Sequence, residues 1–338
     1  MKAYQVTEDY SIAGLALVEK EIPKLLPHQV LVKIKAVSLN YRDLLVVKGI
    51  DSWKPPTGRV PISDGVGLIM EKGSAVTSLE VNDRVAGLFL PNWLEGKLTP
   101  SKLVKPLGGR LNDGVLQEYV VFDEGAVIKV PAFLSDEAAA TLPCAGLTAW
   151  HGIMEKGRVS SGQTVLIQGT GGISLFSTQF ALMSGARVIL LSSSDEKLAQ
   201  AGKMGVQHLI NYRSSPAWES QVLDLTDGLG VDHVVEVVGS DHINRSIEVV
   251  ALDGSISLIG LIDGFYGNIN TAKIMSKQIR LQGIEVGSKE MFSRMNKALE
   301  INQITPVVDK VFAFKEAREA LSTLENGTHF GKISLVFE

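Results

Sequence analysis

Val165-Leu166-Ile167-Gln168-Gly169-Thr170-Gly171-Gly172-Ile173-Ser174 is a short apolar run that breaks into a glycine-rich turn and then into an amphipathic segment. Glycines let a backbone turn tightly and approach a pyrophosphate closely. The N-terminus of a following helix offers unpaired N–H groups and a partial positive charge to the anion. The spacing matches G-x-G-x-x-G except that Ser174 stands in the last glycine position. A plain strand-to-helix connection carries similar glycines, so the flanks have to distinguish the two. Thr164 to Ile167 reads as a buried strand, and Ile173, Phe176, Phe180 and Met183 recur at helical spacing up to a stop at Gly185. A second apolar run, Arg187 to Leu191, follows. Strand, turn, helix and strand fit the roughly 30 residues of a βαβ unit, so the stretch is assigned to dinucleotide binding through Gly169, Gly171, Gly172 and Ile173.

The end of the second strand bears on which dinucleotide. A carboxylate there hydrogen-bonds a free ribose 2′-hydroxyl; this chain has Ser192-Ser193-Ser194 and then Asp195-Glu196-Lys197. Serine hydroxyls donate to a 2′-phosphate and Lys197 neutralises it as a point charge, which favours NADPH (NADP+) over NADH. Asp195 or Glu196 reaching a free ribose hydroxyl stays open as the other reading.

The alternation of strand and helix extends from about residue 127 to 267: Thr164 to Ile167, Arg187 to Leu191, Val206 to Ile210, His233 to Val238 and Ser255 to Ile259. It predicts an α/β fold with a doubly wound parallel Rossmann sheet, whose ligands lie beyond the C-terminal strand ends. Val237-Val238-Gly239-Ser240 and Ile259-Gly260-Leu261-Ile262 end two of these strands. Val238, Gly260 and Leu261 are therefore candidates to border the cofactor. Residues 1–126 read differently: Gln29 to Val37 alternates apolar and polar side chains, the pattern of an antiparallel β-rich domain. Residues 268–338 return to a mixed pattern and end in a strand from Gly331 to Phe337, so the nucleotide domain, 127–267, interrupts the first.

Composition narrows the class. At 338 residues and 45% hydrophobic, the chain holds about two domains with a sizeable core. No run reaches the roughly 18 apolar residues of a membrane span, and Met1-Lys2-Ala3-Tyr4-Gln5 opens without an apolar signal segment. A single cysteine, Cys144, excludes an intrachain disulfide and suits a reducing, cytoplasmic setting. The net charge of −4, with both signs intermixed, shows no footprint for nucleic acid.

Asn40-Tyr41-Arg42-Asp43, Pro61 to Gly67, Gly114 to Tyr119, Leu142 to Trp150, the glycine turn and Asn211-Tyr212-Arg213 together resemble the medium-chain dehydrogenase/reductase superfamily, close to its zinc-free, quinone oxidoreductase-like branch. The resemblance covers nearly the whole chain. It implies a GroES-like catalytic domain built from both chain ends around a Rossmann domain, an active site in the cleft they form, and a homodimer or homotetramer. In the zinc enzymes of this superfamily the metal ligands fall at positions where this chain has Asn40, Ser63-Asp64 and Cys144. One thiol beside an amide and a hydroxyl is a poor donor set for zinc, so no metal is expected. The hydroxyl relay of those enzymes is also absent, with Arg42 and Leu45 at the matching positions.

Without a Lewis acid, simple alcohol oxidation loses its means of deprotonating the hydroxyl. A quinone or α,β-unsaturated carbonyl instead takes hydride on carbon while an oxygen gathers charge that hydrogen-bond donors stabilise. The expected function is thus NADPH-dependent reduction of such an uncharged, apolar acceptor. An alcohol dehydrogenase and a non-catalytic NADPH-binding protein are the alternatives. From the resemblance, Asn40 is a donor to the oxyanion or carboxamide, Tyr41 a donor or wall, and Arg42 a holder of negative charge. Asp43 orients Arg42 or a backbone group, and Asp64 supports the same site. The resemblance also implies cofactor contacts from Thr148, Tyr212, Gly260 to Ile262, Val286-Gly287-Ser288 and Lys332. Trp53 and Pro91 to Trp93 lie in irregular stretches that suit a pocket wall.

Overall fold

The computed structural model describes residues 1–337. The chain divides into two compact units, one formed by Met1–Leu147 with the chain from Val286 on, the other by Thr148–Glu285. The first unit begins with a β-hairpin of β1 (Lys2–Gln5) and β2 (Ala16–Glu19). It continues with β3 (Gln29–Ser38), β4 (Asp64–Lys72), β5 (Arg84–Gly87), β6 (Tyr119–Asp123) and β7 (Val127–Lys129). The second unit holds β8 (Thr164–Gln168), β9 (Arg187–Ser192), β10 (His208–Asn211), β11 (Val231–Glu236), β12 (Val250–Leu258) and β13 (Arg280–Gly283). The chain then returns to the first unit with β14 (Val308–Ala313) and β15 (Lys332–Val336).

In the first unit the sheet runs β14-β15-β3-β4-β5-β7, with β6 also on β3. Every pair is antiparallel except β14 with β15. The alternation read in Gln29 to Val37 corresponds to β3, which is central because it pairs with β4, β6 and β15. Its Val30, Val32 and Ile34 enter a core with Ile69, Val85, Val120, Ile333 and Leu335. Burying an aliphatic side chain of this size stabilises a fold by about 1.5–3 kcal/mol. β15 pairs antiparallel with β3, Ser334 facing Ser38, and so carries the end of the chain back beside Leu39 and Asn40.

In the second unit the strands are parallel in the order β10-β9-β8-β11-β12-β13. This is the 3-2-1-4-5-6 order of a dinucleotide-binding sheet. Val165, Leu166 and Ile167 of the central β8 are fully buried, as a strand covered on both faces must be. The helix Gly172–Met183 follows, and the chain leaves it through Gly185 at φ +76°.

Several expected bounds change, β10 beginning at His208 and β11 running over Val231–Glu236 among them. The unit boundaries fall at 147/148 and 285/286 rather than at 126/127 and 267/268. β7 belongs to the first sheet through its pairing with β5, and β13 belongs to the second through β12. β13 itself was not foreseen: Arg280-Leu281-Gln282-Gly283 is a short, largely exposed edge strand without an apolar run to announce it. β12 starts five residues before the expected Ser255, its register against β11 shifting between the pairs Val231/Val250 and His233/Ser255, with Asp253 at φ +56° in that step.

Candidate active site

The second unit supplies a nucleotide cradle. Gly169 leaves β8 at φ +73°, a conformation that costs an L-residue roughly 1–2 kcal/mol, and Gly171 is the N-cap of the helix that begins at Gly172. A Cβ on Gly171 would meet nothing within 4 Å, so the backbone at the helix start is uncovered, as an anion-binding helix N-terminus requires. Ser174 in the third motif position is buried, and its hydroxyl donates to Gln168 O at 2.7 Å. It thereby ties helix to strand, the packing task of the glycine it replaces. The residues present therefore suit an NAD(P) cofactor.

At the end of β9, Ser192 is buried while Ser193 and Lys197 are partly exposed. Ser194 caps the next helix, accepting the Lys197 N–H at 3.3 Å. The Tyr212 N–H donates to Ser192 O at 3.1 Å, which brings the exposed Tyr212 to the same strand end. Asp195 accepts from Asn211 Nδ2 at 2.7 Å.

At the ends of β11 and β12 the structure adds a residue that the sequence analysis did not single out. Glu236 is fully buried; its Oε1 accepts the N–H groups of Val238 at 2.8 Å and Gly239 at 3.1 Å. Its Oε2 accepts from Gln168 Nε2 at 2.9 Å and from Ser246 Oγ. Burial pushes the Glu236 carboxyl upward, but His242, Ser246 and Gln168 outweigh it and hold the group below its ordinary value. A carboxylate inside an otherwise apolar strand was the available signal. Gly260 lies against this loop so closely that a Cβ there would come within 1.6 Å of Val237 O. Leu261 follows it, and Thr148 is buried in the same unit.

The first unit gathers a second set of residues, remote in sequence. Asn40 ends the β3 connection and precedes the helix Tyr41–Val47; Asp43 accepts the Asn40 N–H at 2.8 Å and Arg42 Nη1 at 3.1 Å. Arg42 is buried, with Nη1 also on Leu107 O at 3.0 Å and the guanidinium 5.5 and 5.3 Å from the rings of Trp53 and Phe89. Asp64 opens β4, taking the Ser63 hydroxyl on Oδ1 at 2.7 Å and the Cys144 N–H on Oδ2 at 3.0 Å. Burial raises its carboxyl to about 6, against the pull of Lys332, Ser63 and Asn40. Burial likewise raises Asp43 despite Arg42, and raises the Cys144 thiol well above its ordinary value.

Lys332 belongs to this cluster. Expected along the cofactor, it is buried in the first unit, where Nζ donates to Leu39 O and to Asn40 Oδ1, the latter at 2.6 Å. Burial lowers its pKa, opposed by Asp64, Cys144 and Asp43. Asn40 Nδ2 and Arg42 Nε and Nη2 are buried with no hydrogen-bond partner among the described residues. Tyr41 by contrast is exposed. Val286, Gly287 and Ser288 also lie in the first unit: Val286 packs with Phe89, Leu90 and Trp93, and Ser288 caps the helix Lys289–Asn302 by accepting from Met291 N at 3.2 Å. Three buried donors with no partner of ordinary geometry among the described residues suit an acceptor oxygen that gathers negative charge.

Known proteins carry the same architecture. The alcohol dehydrogenase GroES-like domain family matches residues 26–132, and the zinc-binding dehydrogenase family matches residues 172–301. A zinc-type alcohol dehydrogenase-like protein of Schizosaccharomyces pombe is 43% identical over 94% of this chain and 93% of its own length. A Sinorhizobium meliloti 1021 structure, provisionally described as an alcohol dehydrogenase, superposes with a TM-score of 0.92 at 38% identity, covering 100% of this chain and 99% of the other. A quinone oxidoreductase of Pseudomonas syringae pv. Tomato DC3000 superposes with a TM-score of 0.83 at 25% identity, covering 99% of each chain.

Proposed function

The chain belongs to the medium-chain dehydrogenase/reductase superfamily, and we propose that it is an NADPH-dependent reductase of quinones or α,β-unsaturated carbonyls that works without a catalytic zinc. The observation that carries this reading is the donor set at positions 40, 63, 64 and 144. Both oxygens of Asp64 already accept hydrogen bonds, the Cys144 thiol is held protonated by burial, and Lys332 Nζ sits on Asn40 Oδ1, the oxygen a metal would need. These residues do not fit a divalent cation, which binds deprotonated thiol, neutral imidazole or free carboxylate. The zinc-binding dehydrogenase match spans 172–301 and includes none of these four positions.

Gly169, Gly171, Gly172 and Ile173 would hold the cofactor's diphosphate, with Ser192, Ser193, Lys197 and Tyr212 at the adenosine ribose. Of the two carboxylates that could reach a free 2′-hydroxyl, Asp195 accepts from Asn211 and Glu196 is exposed beside it. The serine hydroxyls and Lys197 are what favour a ribose phosphate. Thr148, Val238, Gly260 and Leu261 would border the nicotinamide, which when bound supplies a hydride to an electrophilic carbon. Asn40 Nδ2 donates to the acceptor oxygen as charge builds there, and the positive field of Arg42 favours that charge. Water then protonates the product. The family also makes a homodimer or homotetramer the expected assembly.

The names of its relatives favour a second reading, reversible oxidation of an alcohol. Oxidation of NADPH and of NADH is to be followed against quinones, alkenals and aldehydes, with metal analysis of the same preparation. Turnover of quinone or enal by metal-free protein is the expected result. Stoichiometric zinc with alcohol or aldehyde turnover alone would replace the reading by the second, and tight NADPH binding with no turnover would replace it by a binding role.

A further inference from the structure

Asn40 reaches its neighbours through an amide whose two ends, a carbonyl oxygen and an NH2 group, are nearly the same size. Packing alone does not choose between them; hydrogen-bond partners do. Among the described residues the one hydrogen bond of ordinary geometry on this amide comes from Lys332, while Asp64 attracts the Nδ2 end. Lys332 Nζ donates to Oδ1 at 2.6 Å, and it is held there by a second bond to Leu39 O, the residue just before Asn40. The contact is built into the sheet. Lys332 opens β15, which pairs with β3, and the Leu39 N–H donates to Ile333 O at 3.0 Å. The Asn40 backbone is pinned independently, its N–H on Asp43. Asp64 faces the amide and is held down by it, yet Nδ2 closes no hydrogen bond.

We propose that Lys332 is a positioning residue whose bond to Oδ1 fixes the Asn40 amide so that Nδ2 is the end presented to the acceptor. This rests on the reading of Asn40 as a donor given above. A donor-only group on Oδ1 makes the reversed amide unfavourable, since it would set NH2 against Nζ. The same bond draws electron density toward Oδ1 and strengthens Nδ2–H as a donor. Lys332 therefore acts on turnover through Asn40.

The test compares NADPH-driven reduction of a soluble quinone by the full chain and by N40A, K332M, K332Q and N40A/K332M, with NADPH affinity measured by fluorescence titration. Loss of an oxyanion donor lowers kcat by about 100-fold, the effect expected for N40A. K332M is expected to lower kcat by about tenfold or more while the NADPH Kd stays within about twofold, and the double variant is expected to be no slower than N40A. K332Q, which still offers a donor to Oδ1, should recover most of the loss. Wild-type kcat in K332M, NADPH affinity lost in K332M but not in N40A, multiplying losses in the double variant, or failure of K332Q to recover would each overturn the inference. If N40A itself turns over normally, the reading of Asn40 fails and the inference with it; if N40A is slow and K332M is normal, the inference alone fails. A readout free of turnover uses protein labelled with 15N-asparagine. The Asn40 side-chain amide resonance, identified by its loss in N40A, should move in K332M and return in K332Q, and an unmoved resonance counts against the assignment.

Discussion

Glu236 accepts the backbone N–H of Val238 at 2.8 Å, so a buried carboxylate shapes the loop at the end of β11 from within. Gly239 N–H, Gln168 and Ser246 complete its hydrogen bonds. Glu236→Gln replaces one acceptor oxygen with a donor among groups that all donate. The variant should lose about 2–3 kcal/mol of stability and bind NADPH more weakly, measured by urea unfolding and fluorescence titration. The folded-state pKa lies below the ordinary carboxylate value. Its contribution is therefore full above the unfolded pKa near 4.5 and disappears as pH falls through the lower folded value. The gap between wild type and the variant should accordingly close in acid. A gap that is unchanged down to pH 3 would contradict the charged-acceptor role.

Asp64 titrates in the opposite sense. Its carboxyl is raised from 3.8 to about 6, so the folded protein prefers the protonated form. The native state is favoured most below pH 3.8, and that advantage is lost as pH rises through about 6. Asp64→Asn can keep an acceptor for the Cys144 N–H but carries no charge. Relative to wild type it should gain stability on the order of 2–3 kcal/mol between pH 4 and pH 8, seen in urea midpoints across that range. Parallel curves would show that Asp64 ionises as an exposed carboxylate does.

Lys197 lies in the first turn of the helix Asp195–Lys203 after β9, near the serines that end the strand. Lys197→Ala should weaken NADPH by about tenfold, the order of one charge-assisted contact, and leave NADH unchanged. Titration with each reduced cofactor tests this directly. Equal losses for both would remove the ribose-phosphate assignment.

Ser174 takes the third glycine position of the motif and ties the helix to Gln168 O. Ser174→Ala deletes that buried hydrogen bond without touching the phosphate cradle. Thermal unfolding should report a loss of about 1 kcal/mol, while NADPH affinity changes by less than about twofold. A large loss of affinity would mean that the hydroxyl itself contacts the cofactor.

Much of the nucleotide-binding unit was legible because each element carries its own signal. β8 and β9 are apolar runs bounded by glycine turns, and the helix Gly172–Met183 shows its period over three turns. β13 shows none of this: an exposed edge strand of four residues buries too little to need an apolar pattern. The first boundary was equally hidden, since it falls inside the helical stretch from Leu142 to Lys156, where composition does not change. Glu236 was visible in the run His233 to Val238, but a carboxylate in a strand does not reveal that it faces inward onto the next loop.

The candidate site divides along the same line. The sequence by itself determined the dinucleotide cradle, whose strand, glycine turn and helix are local, and its resemblance to a known family pointed to Asn40, Ser63, Asp64 and Cys144 as one site, because such motifs keep their order along the chain. Only the tertiary structure decided that Lys332, 292 residues from Asn40, joins them. That contact depends on β15 lying against β3 and on β4 lying on the other side of β3, and strand pairing is a long-range choice that no spacing records. The protonation state of the cluster follows from the same pairing, since burial, not residue type, raises Asp64 and lowers Lys332.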